Sequence, residues 1–498
     1  MKLDPGRPLR SVVIAGSGLE AWLAAAVLAL RLDGRRVDIT VCPVSGSQDW
    51  DGLYTALPAW PGDLFRDLGY SDLKLATLAD ASFSLGTRVS GPGLEAVIKP
   101  HGPVGINVGG VAFHHYWRRV STRLTPDDYF RYSPGTEALR RSALAPPVPA
   151  NALGPLQHEM VRHVDPWALQ KHLRHQAYAM DVREARGPLA EVQRADDGRI
   201  AGLTTTRGEK LSADLFVDCT GPNRRLCSEA SAWEAAPLSR AAWLWAEHEH
   251  RDAAPLPWSS LSGTEAGWKA VFPRGTEEVT LHLAGDRTTG EASGTPAGEA
   301  PGNPRGNAVP YHIGHTPTPW EGNCVALGSA AASVLPLDGL PARLLMNMVQ
   351  RLVALLPGRD CHPAETLEFN QLSAEDAREA NHLGTLYEAW RQGHAPREAA
   401  IDGTLPEPLA LRVRLFARRG WLSPRDSQLV PEDCWRAAFI LLGVIPDHHD
   451  RLADRIERDQ VEENLLALKH KVRQIARTFP AHDEYFAAMQ ATIREARP

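Results

Sequence analysis

Gly16, Ser17, Gly18 and Ala21 have the spacing of a loop that could hold a phosphate. They lie in the run 11–32, SVVIAGSGLEAWLAAAVLALRL. An apolar stretch leads into Gly-x-Gly and then into a second, longer apolar stretch. That is the strand, tight turn and helix of a dinucleotide-binding βαβ unit. Gly16 permits the sharp turn, and Gly18 lets the backbone approach a pyrophosphate. Ala21 is small enough for close helix–strand packing. The helix start then offers unpaired N–H groups and a positive dipole end to an anion. Two glycines at such a junction also occur in ordinary tight turns, so the motif needs partners elsewhere. Two segments could supply them. The run 211–218 ends in Asp218-Cys219-Thr220-Gly221, and the run 323–337, NCVALGSAAASVLPL, places Gly328 and Ser329 after apolar residues. Asp218 could reach a ribose or cap its own turn. Gly328 and Ser329 could meet a ligand through their backbone or simply turn the chain.

These points need a scaffold. The run 36–42, RVDITVC, alternates as a second strand. An acid often ends that strand and clamps a ribose, but Cys42-Pro43 stands there instead. A helix is expected over 165–180. Strands follow at 189–193, 200–205 and 211–218, with a turn at Asp196-Asp197-Gly198. Residues 235–284 carry several tryptophans and read as strand-rich. Residues 285–309 are rich in Gly, Pro, Ser and Thr and read as a mobile loop. From about 338 onward the pattern turns helical, with 3.6-period stripes in ARLLMNMVQRLVALL and over 454–479.

Composition bounds the function. At 498 residues the chain exceeds one core, so two or more lobes are expected. An apolar fraction of 43% and a charged fraction of 23% fit a globular chain. A net charge of −6 without a basic run argues against nucleic acid. The six cysteines lack CxxC spacing, which argues against zinc and against a disulfide framework and fits a reducing, cytoplasmic setting. Glu20 interrupts the first apolar run, so that run is not read as a signal peptide. No uncharged apolar run is long enough to predict a membrane span.

Taken in order, GSGLEAW, FVDCTG and NCVALGSAA resemble the FAD-binding framework of flavin monooxygenases, in the group that includes the flavin-dependent tryptophan halogenases. Further segments resemble that halogenase family itself. Gly16, Gly18 and Trp22 match its Gly-x-Gly-x-x-x-Trp pattern. Phe113-His114-His115-Tyr116-Trp117 is similar to its FHHxW stretch, and AGWKAVFP, with Trp268 and Phe272, to AGWxWxIP. Pro336-Leu337-Asp338 resembles the start of its PLES segment. DCWRAAFILLGVIP at 433–446 and the late FPAHDEYF are also similar.

The resemblance implies an α/β fold. A flavin monooxygenase-type, Rossmann-like FAD-binding domain would cover 1–340, with a β-rich substrate lobe interleaved at about 50–160 and 225–310. A mostly helical region would follow over 341–498. It implies FAD held by Gly16, Ser17, Gly18, Ala21, Asp218, Gly221, Gly328 and Ser329, and reduced by a separate flavin reductase. A small-molecule substrate would lie near Trp268, Phe272, His114 and His115, and a homodimer is one arrangement it allows. In the family's reaction reduced flavin, oxygen and halide yield hypohalous acid, which crosses a tunnel to the substrate. A buried lysine holds or polarises it, and a carboxylate positions it or takes the proton released from the arene.

The chain departs from the family where this chemistry sits. Ser84 occupies the lysine's place, and Asp338 that of the glutamate. The halide segment reads PLDGL, and Pro341 removes one N–H there. Ala270 replaces the second tryptophan, and LYTALP at 53–58 stands for GEATxP. Asp338 and Ser84 are the candidate catalytic residues. Structural readings stand beside both: a helix cap for Asp338, a filler for Ser84. Losing a charged donor at a reacting centre costs a factor on the order of 100 to 1,000. Lys74 and Lys99 are candidate displaced replacements. Trp22, Trp268, His114 and His115 could equally be core residues. Two functions remain open at this point. One is a divergent halogenase-like monooxygenase acting on an electron-rich small molecule. The other is a non-catalytic binding or assembly protein with weakened or lost FAD binding.

Overall fold

In the computed structural model the apolar strands near the start, middle and later part of the chain assemble side by side. The structure describes residues 8–32, 37–45, 49–58, 64–146, 156–227, 232–238, 242–285, 308–423 and 429–496. A six-stranded sheet runs in the order Trp320–Glu321, Cys324–Ala326, Leu215–Asp218, Ser11–Ala15, Asp38–Cys42, Arg183–Glu184. All its pairings are parallel except that of the first two strands. Ala15 stands opposite both Asp218 and Cys42, and Asp218 opposite Ala326. The turns after Ala15, Cys42, Asp218 and Ala326 therefore leave from one edge, the carboxyl end, where ligands of open α/β sheets bind.

Helix Leu19–Arg31 follows the first turn. Its residues from Leu19 to Ala29 are buried on every side, because it lies between the sheet and the helices Pro166–Ala179 and Leu340–Ala354. Trp22 is part of this packing. It is 2% exposed and meets Tyr178 edge-on at 5.5 Å, which is the core reading. The helix expected over 165–180 spans Pro166–Ala179, with the Asp165 carboxylate accepting from the N–H groups of Trp167 and Ala168. The run 211–218 does not form one strand. It splits into Lys210–Leu211 and Leu215–Asp218, because Asp214 turns its carboxylate to the N–H groups of Arg10 and Ser11.

A seven-stranded sheet forms the second layer, in the order Val309–Tyr311, Ala242–His250, Glu277–Gly285, Gly267–Pro273, Ser259–Gly263, Gly86–Gly91, Leu94–Pro100. Early and late parts of the chain interleave in it. Gly86–Gly91 pairs parallel with Ser259–Gly263 and antiparallel with Leu94–Pro100, so Thr87 stands opposite both Ser259 and Lys99. A small sheet, Ala56–Leu57, Val161–His163 and Ser82–Ser84, lies between the layers in chain order.

From Leu340 onward the described residues form helices and no strand. The 29-residue helix Pro363–Arg391 spans about 43 Å at 1.5 Å per residue. It ties the two sheets together. Near one end Asn370 bonds the backbone N–H and C=O of Trp320, and near the other Glu388 accepts from the Trp268 indole. The loop expected over 285–309 lies almost wholly outside the described residues. No helix among the described residues is long and apolar enough to cross a membrane, and no cluster of possible metal ligands occurs among them.

Candidate functional site

The first candidate site is the carboxyl edge of the six-stranded sheet. Gly16 has a φ of +154°, and a Cβ on it would sit 2.5 Å from the Cys219 carbonyl oxygen, so only glycine fits. Its N–H donates to the Cys42 carbonyl at 3.0 Å. Ser17 is spent on the turn itself. Its hydroxyl accepts from Val44 N–H at 2.8 Å and donates to the Val44 carbonyl at 3.0 Å. Gly18 occupies the helix cap position in extended conformation with no side chain to cap the first-turn N–H groups. Ala21 is fully buried against the turn, 2.9 Å from where a Gly16 Cβ would be. Gly221 and Gly328 both have positive φ and open two short turns that pack on each other.

Asp218 does not clamp a ligand here. It is 0% exposed. One carboxylate oxygen accepts from the Thr220 N–H and hydroxyl, and the other from the N–H groups of Leu226 and Cys227. It organises its own loop, and the buried loop amides explain why an acid ends that strand. Cys42 is buried, and burial pushes its thiol up to about 11, so it supplies no anion to a ribose.

The second candidate site is a cavity between the seven-stranded sheet and the C-terminal helices. Lys99, His101, Asp338, Arg343, Tyr387 and Cys434 line it, together with apolar residues such as Leu383, Leu429 and Val430. Asp338 comes from the turn before helix Leu340–Ala354. Its φ of +44° and the positive φ of Gly339 aim its side chain away from the helix. Gly339, not Asp338, takes the cap position, which excludes the capping reading.

The Asp338 carboxylate forms an ion pair with Lys99 Nζ through Oδ2. Its Oδ1 accepts from the Thr87 hydroxyl at 2.6 Å, and that hydroxyl lies 3.0 Å from Ser259 Oγ. The register of Thr87 against Lys99 brings both partners to one carboxylate. The Lys99 side chain is 7% exposed, and that of Asp338 is 30% exposed toward the cavity. Burial alone would neutralise both groups. For Asp338 burial is the largest single influence and pushes the carboxyl up, but the charge of Lys99, His101 and the Lys99 and Thr87 hydrogen bonds together outweigh it and hold the carboxyl well below its ordinary range. For Lys99 burial is likewise the largest single influence and pulls the ammonium down, but the Asp338 charge and hydrogen bond, with Tyr387 and Cys434, together outweigh it and hold the ammonium above its ordinary range.

His101 lies beside this pair, with Nδ1 4.0 Å from Asp338 Oδ1. Burial lowers its imidazole to about 3, so it is neutral. Ser84 Oγ lies 3.5 Å from His101 Nε2 and donates to the Gly86 carbonyl at 2.7 Å. Serine, histidine and aspartate thus follow one another in space, but the serine proton goes to a backbone oxygen. The serine is also 0% exposed and outside the cavity lining. That is no nucleophilic triad. Ser84 holds the turn between two strands.

The two displaced-lysine candidates separate cleanly. Lys74 is exposed and donates to the Gly69 carbonyl at 3.0 Å, whereas Lys99 meets Asp338 in the cavity. The four expected pocket residues do not join them. Trp268 donates its indole N–H to Glu388 at 2.8 Å and packs edge-on behind Tyr387 at 6.2 Å. Phe272 packs against His163 at 5.6 Å. His114 Nε2 lies 2.8 Å from the Gly420 carbonyl, and His115 Nδ1 accepts from Asp450 N–H at 3.1 Å. Both histidines fasten helix Phe113–Val120 to the C-terminal helices. Thr87, His101 and Tyr387 escape sequence reasoning. Only strand register and the long helix bring them to Asp338, and neither leaves a local motif.

Fold and site together define a flavin-dependent halogenase-type α/β protein with mixed sheets and a helical C-terminal region. The chain matches the tryptophan halogenase family across residues 11–458, and it belongs to that family. It is 25% identical over 367 residues to tryptophan 6-halogenase SttH of Streptomyces toxytricini, covering 68% of this chain and 67% of that protein. It is 24% identical over 390 residues to tryptophan 7-halogenase RebH of Lentzea aerocolonigenes, covering 72% of each. Among solved structures, the flavin-dependent halogenase BrvH from Brevundimonas sp. BAL3 superposes with a TM-score of 0.83 at 24% identity, covering 97% of this chain and 99% of that one. Xcc4156, a flavin-dependent halogenase from Xanthomonas campestris, gives 0.81 at 23% identity, covering 97% and 99%.

The family uses FAD, and the first site fits such a group in its backbone. A Cβ would fill the turn at Gly16 and again at Gly328, where it would come within 2.5 Å of its neighbours. The uncapped helix start at Gly18 suits a diphosphate. One side chain, Glu20, complicates the fit.

Proposed function

We propose that this chain is a halogenase-like flavin-dependent monooxygenase with its reacting centre at Lys99 and Asp338. It acts on an electron-rich small molecule and takes reduced FAD from a separate flavin reductase. The observation that carries this reading is the ion pair of a buried ammonium and a carboxylate lining one cavity. Ser84 stands where the family has its lysine, and Lys99 restores an ammonium from the second strand along. When bound, FAD supplies the electrons that turn oxygen and halide into an oxidant. The backbone at Gly16, Gly18, Gly221, Gly328 and Ser329 would hold it.

The chain's own residues do the rest. Lys99 has three N–H donors, and Asp338 does not need all of them. A donor left over polarises the oxygen of hypohalous acid and so makes its halogen more electrophilic. Asp338 stays ionised beside the ammonium and takes the proton that the arene releases after attack. Its low basicity is sufficient because a protonated arene carbon is a very strong acid. Tyr387, Leu383, Leu429 and Val430 give the arene an apolar wall and keep water away.

The test pairs the protein with a flavin reductase, then offers chloride or bromide and a panel of indoles and phenols. Halogenated products are expected, with turnover about 100- to 1,000-fold lower in Lys99→Met. Full turnover in Lys99→Met would place the reacting centre elsewhere. Glu20 and Cys42 favour a second reading, a binding or assembly protein on the same scaffold. Absence of both product and FAD binding in the folded protein would select it.

A further inference from the structure

Glu20 lies in the first turn of helix Leu19–Arg31, two residues past Gly18, and is only 4% exposed. Its Oε1 accepts from the Ser329 N–H at 2.8 Å and from the Ser329 hydroxyl at 2.6 Å. The Tyr54 hydroxyl donates to the same oxygen. One carboxylate thus bridges the first glycine turn and the Gly328 turn, two of the segments that form the cradle. The contact is close enough that a Cβ on Gly328 would lie 2.5 Å from Glu20 Cδ. An uncapped helix start with convergent N–H and O–H donors is what an anionic diphosphate uses. In this chain an acid already uses the Ser329 donors.

We propose that Glu20 is a built-in stand-in for the cofactor's diphosphate, holding the Ser329 donors until the cofactor displaces it. This rests on the flavin reading above. Two anions cannot share one small set of donors in a buried place, so cofactor binding puts a proton on Glu20, which then releases the Ser329 donors. The titratable groups that face Glu20 are Tyr54, Asp218, Cys219 and Tyr311. Burial already pushes the Glu20 carboxyl up. The Ser329 and Tyr54 hydrogen bonds oppose this, and the Asp218 charge adds to it. The sign follows: FAD binding takes up a proton, so affinity weakens as pH rises through the Glu20 titration.

The experiment measures the FAD dissociation constant across pH 5 to pH 9 by flavin fluorescence, for the wild type, Glu20→Gln and Glu20→Ala. Thermal melts of the FAD-free proteins check folding. Wild-type affinity is expected to fall toward the alkaline end of the range. Glu20→Gln, which cannot ionise, should bind at least about tenfold tighter there and show no such fall. Folded Glu20→Ala should share the gain. Equal affinities and pH profiles in all three would overturn the inference while leaving the flavin reading intact, as would weaker binding in both variants. Folded variants that bind no FAD at all would overturn both.

Discussion

Two buried carboxylates, Glu20 at the cradle and Asp338 at the cavity, are treated in opposite ways. Asp338 faces an ammonium, and its carboxyl is held well below the ordinary range. Glu20 faces hydroxyls, one amide N–H and another acid, and its carboxyl is pushed up. Burial acts in the same direction on both, so the partner decides the outcome. A fixed charge pair suits a centre that must stay polarised through a reaction. An adjustable acid suits a place that must give way to a ligand.

Breaking the ion pair is the harshest test of this contrast. Lys99→Met leaves Asp338 with the Thr87 hydroxyl and a neutral imidazole, an environment close to that of Glu20. Its carboxyl should then rise, and the fold should lose about 3 kcal/mol, the cost of stranding a buried charge. Urea denaturation measures the loss. Removing the second charge as well, in Lys99→Met/Asp338→Leu, should recover most of the stability and none of the turnover. If the single variant is as stable as the wild type, the pair is not desolvated and the contrast with Glu20 fails.

The pH dependence of stability should separate the two acids by sign. Asp338 has a depressed carboxyl, so its contribution is present above its ordinary value near 3.8 and is lost as pH falls below it. Glu20 has a raised carboxyl, so its contribution is present below its ordinary value near 4.5 and is lost as pH rises through the raised one. A tenfold change in a carboxyl's proton affinity on folding corresponds to about 1.4 kcal/mol. Denaturation midpoints between pH 2 and pH 8 should therefore show a flatter acid limb in Asp338→Asn and a smaller loss of stability toward neutral pH in Glu20→Gln. Identical slopes in both variants would mean that the surroundings do not set the two charges.

The cradle is legible in the sequence and most of the cavity is not, for a physical reason. A turn such as Gly16–Gly18 is built by backbone, so the residues that make it are neighbours in the chain. Lys99 and Asp338 are 239 residues apart. They meet only because Lys99 stands opposite Thr87 and the turn at Asp338–Gly339 aims a side chain back at that strand. Periodicity identifies the helices after Leu340, since it reports which face is apolar. It does not report what covers that face. Trp268 has the character of a pocket wall, yet the same large apolar surface is equally satisfied under helix Pro363–Arg391, where its N–H finds Glu388. Asp218 misleads for a related reason. An acid at a strand end serves a ligand or its own loop, and four loop donors claim it.

The smallest expected effect comes from Ser84, and it sharpens where the reacting centre lies. Ser84 closes a two-residue link: its hydroxyl donates to the Gly86 carbonyl, and the Gly86 N–H points back at it at 3.3 Å. Ser84→Ala removes both of these buried hydrogen bonds, each worth about 1 kcal/mol. It should leave turnover within about twofold, because the cavity pair is untouched. Ser84→Lys asks the converse question. An ammonium there would be fully buried beside a neutral histidine, with Lys99 as a like charge nearby and Asp338 already paired. It should destabilise the fold and give no gain in halogenation. If Ser84→Lys instead raised turnover, and did so with Lys99 replaced by methionine, the ammonium at 99 would be structural. The cavity would then resemble the cradle, a site whose charged side chain holds a place for something else.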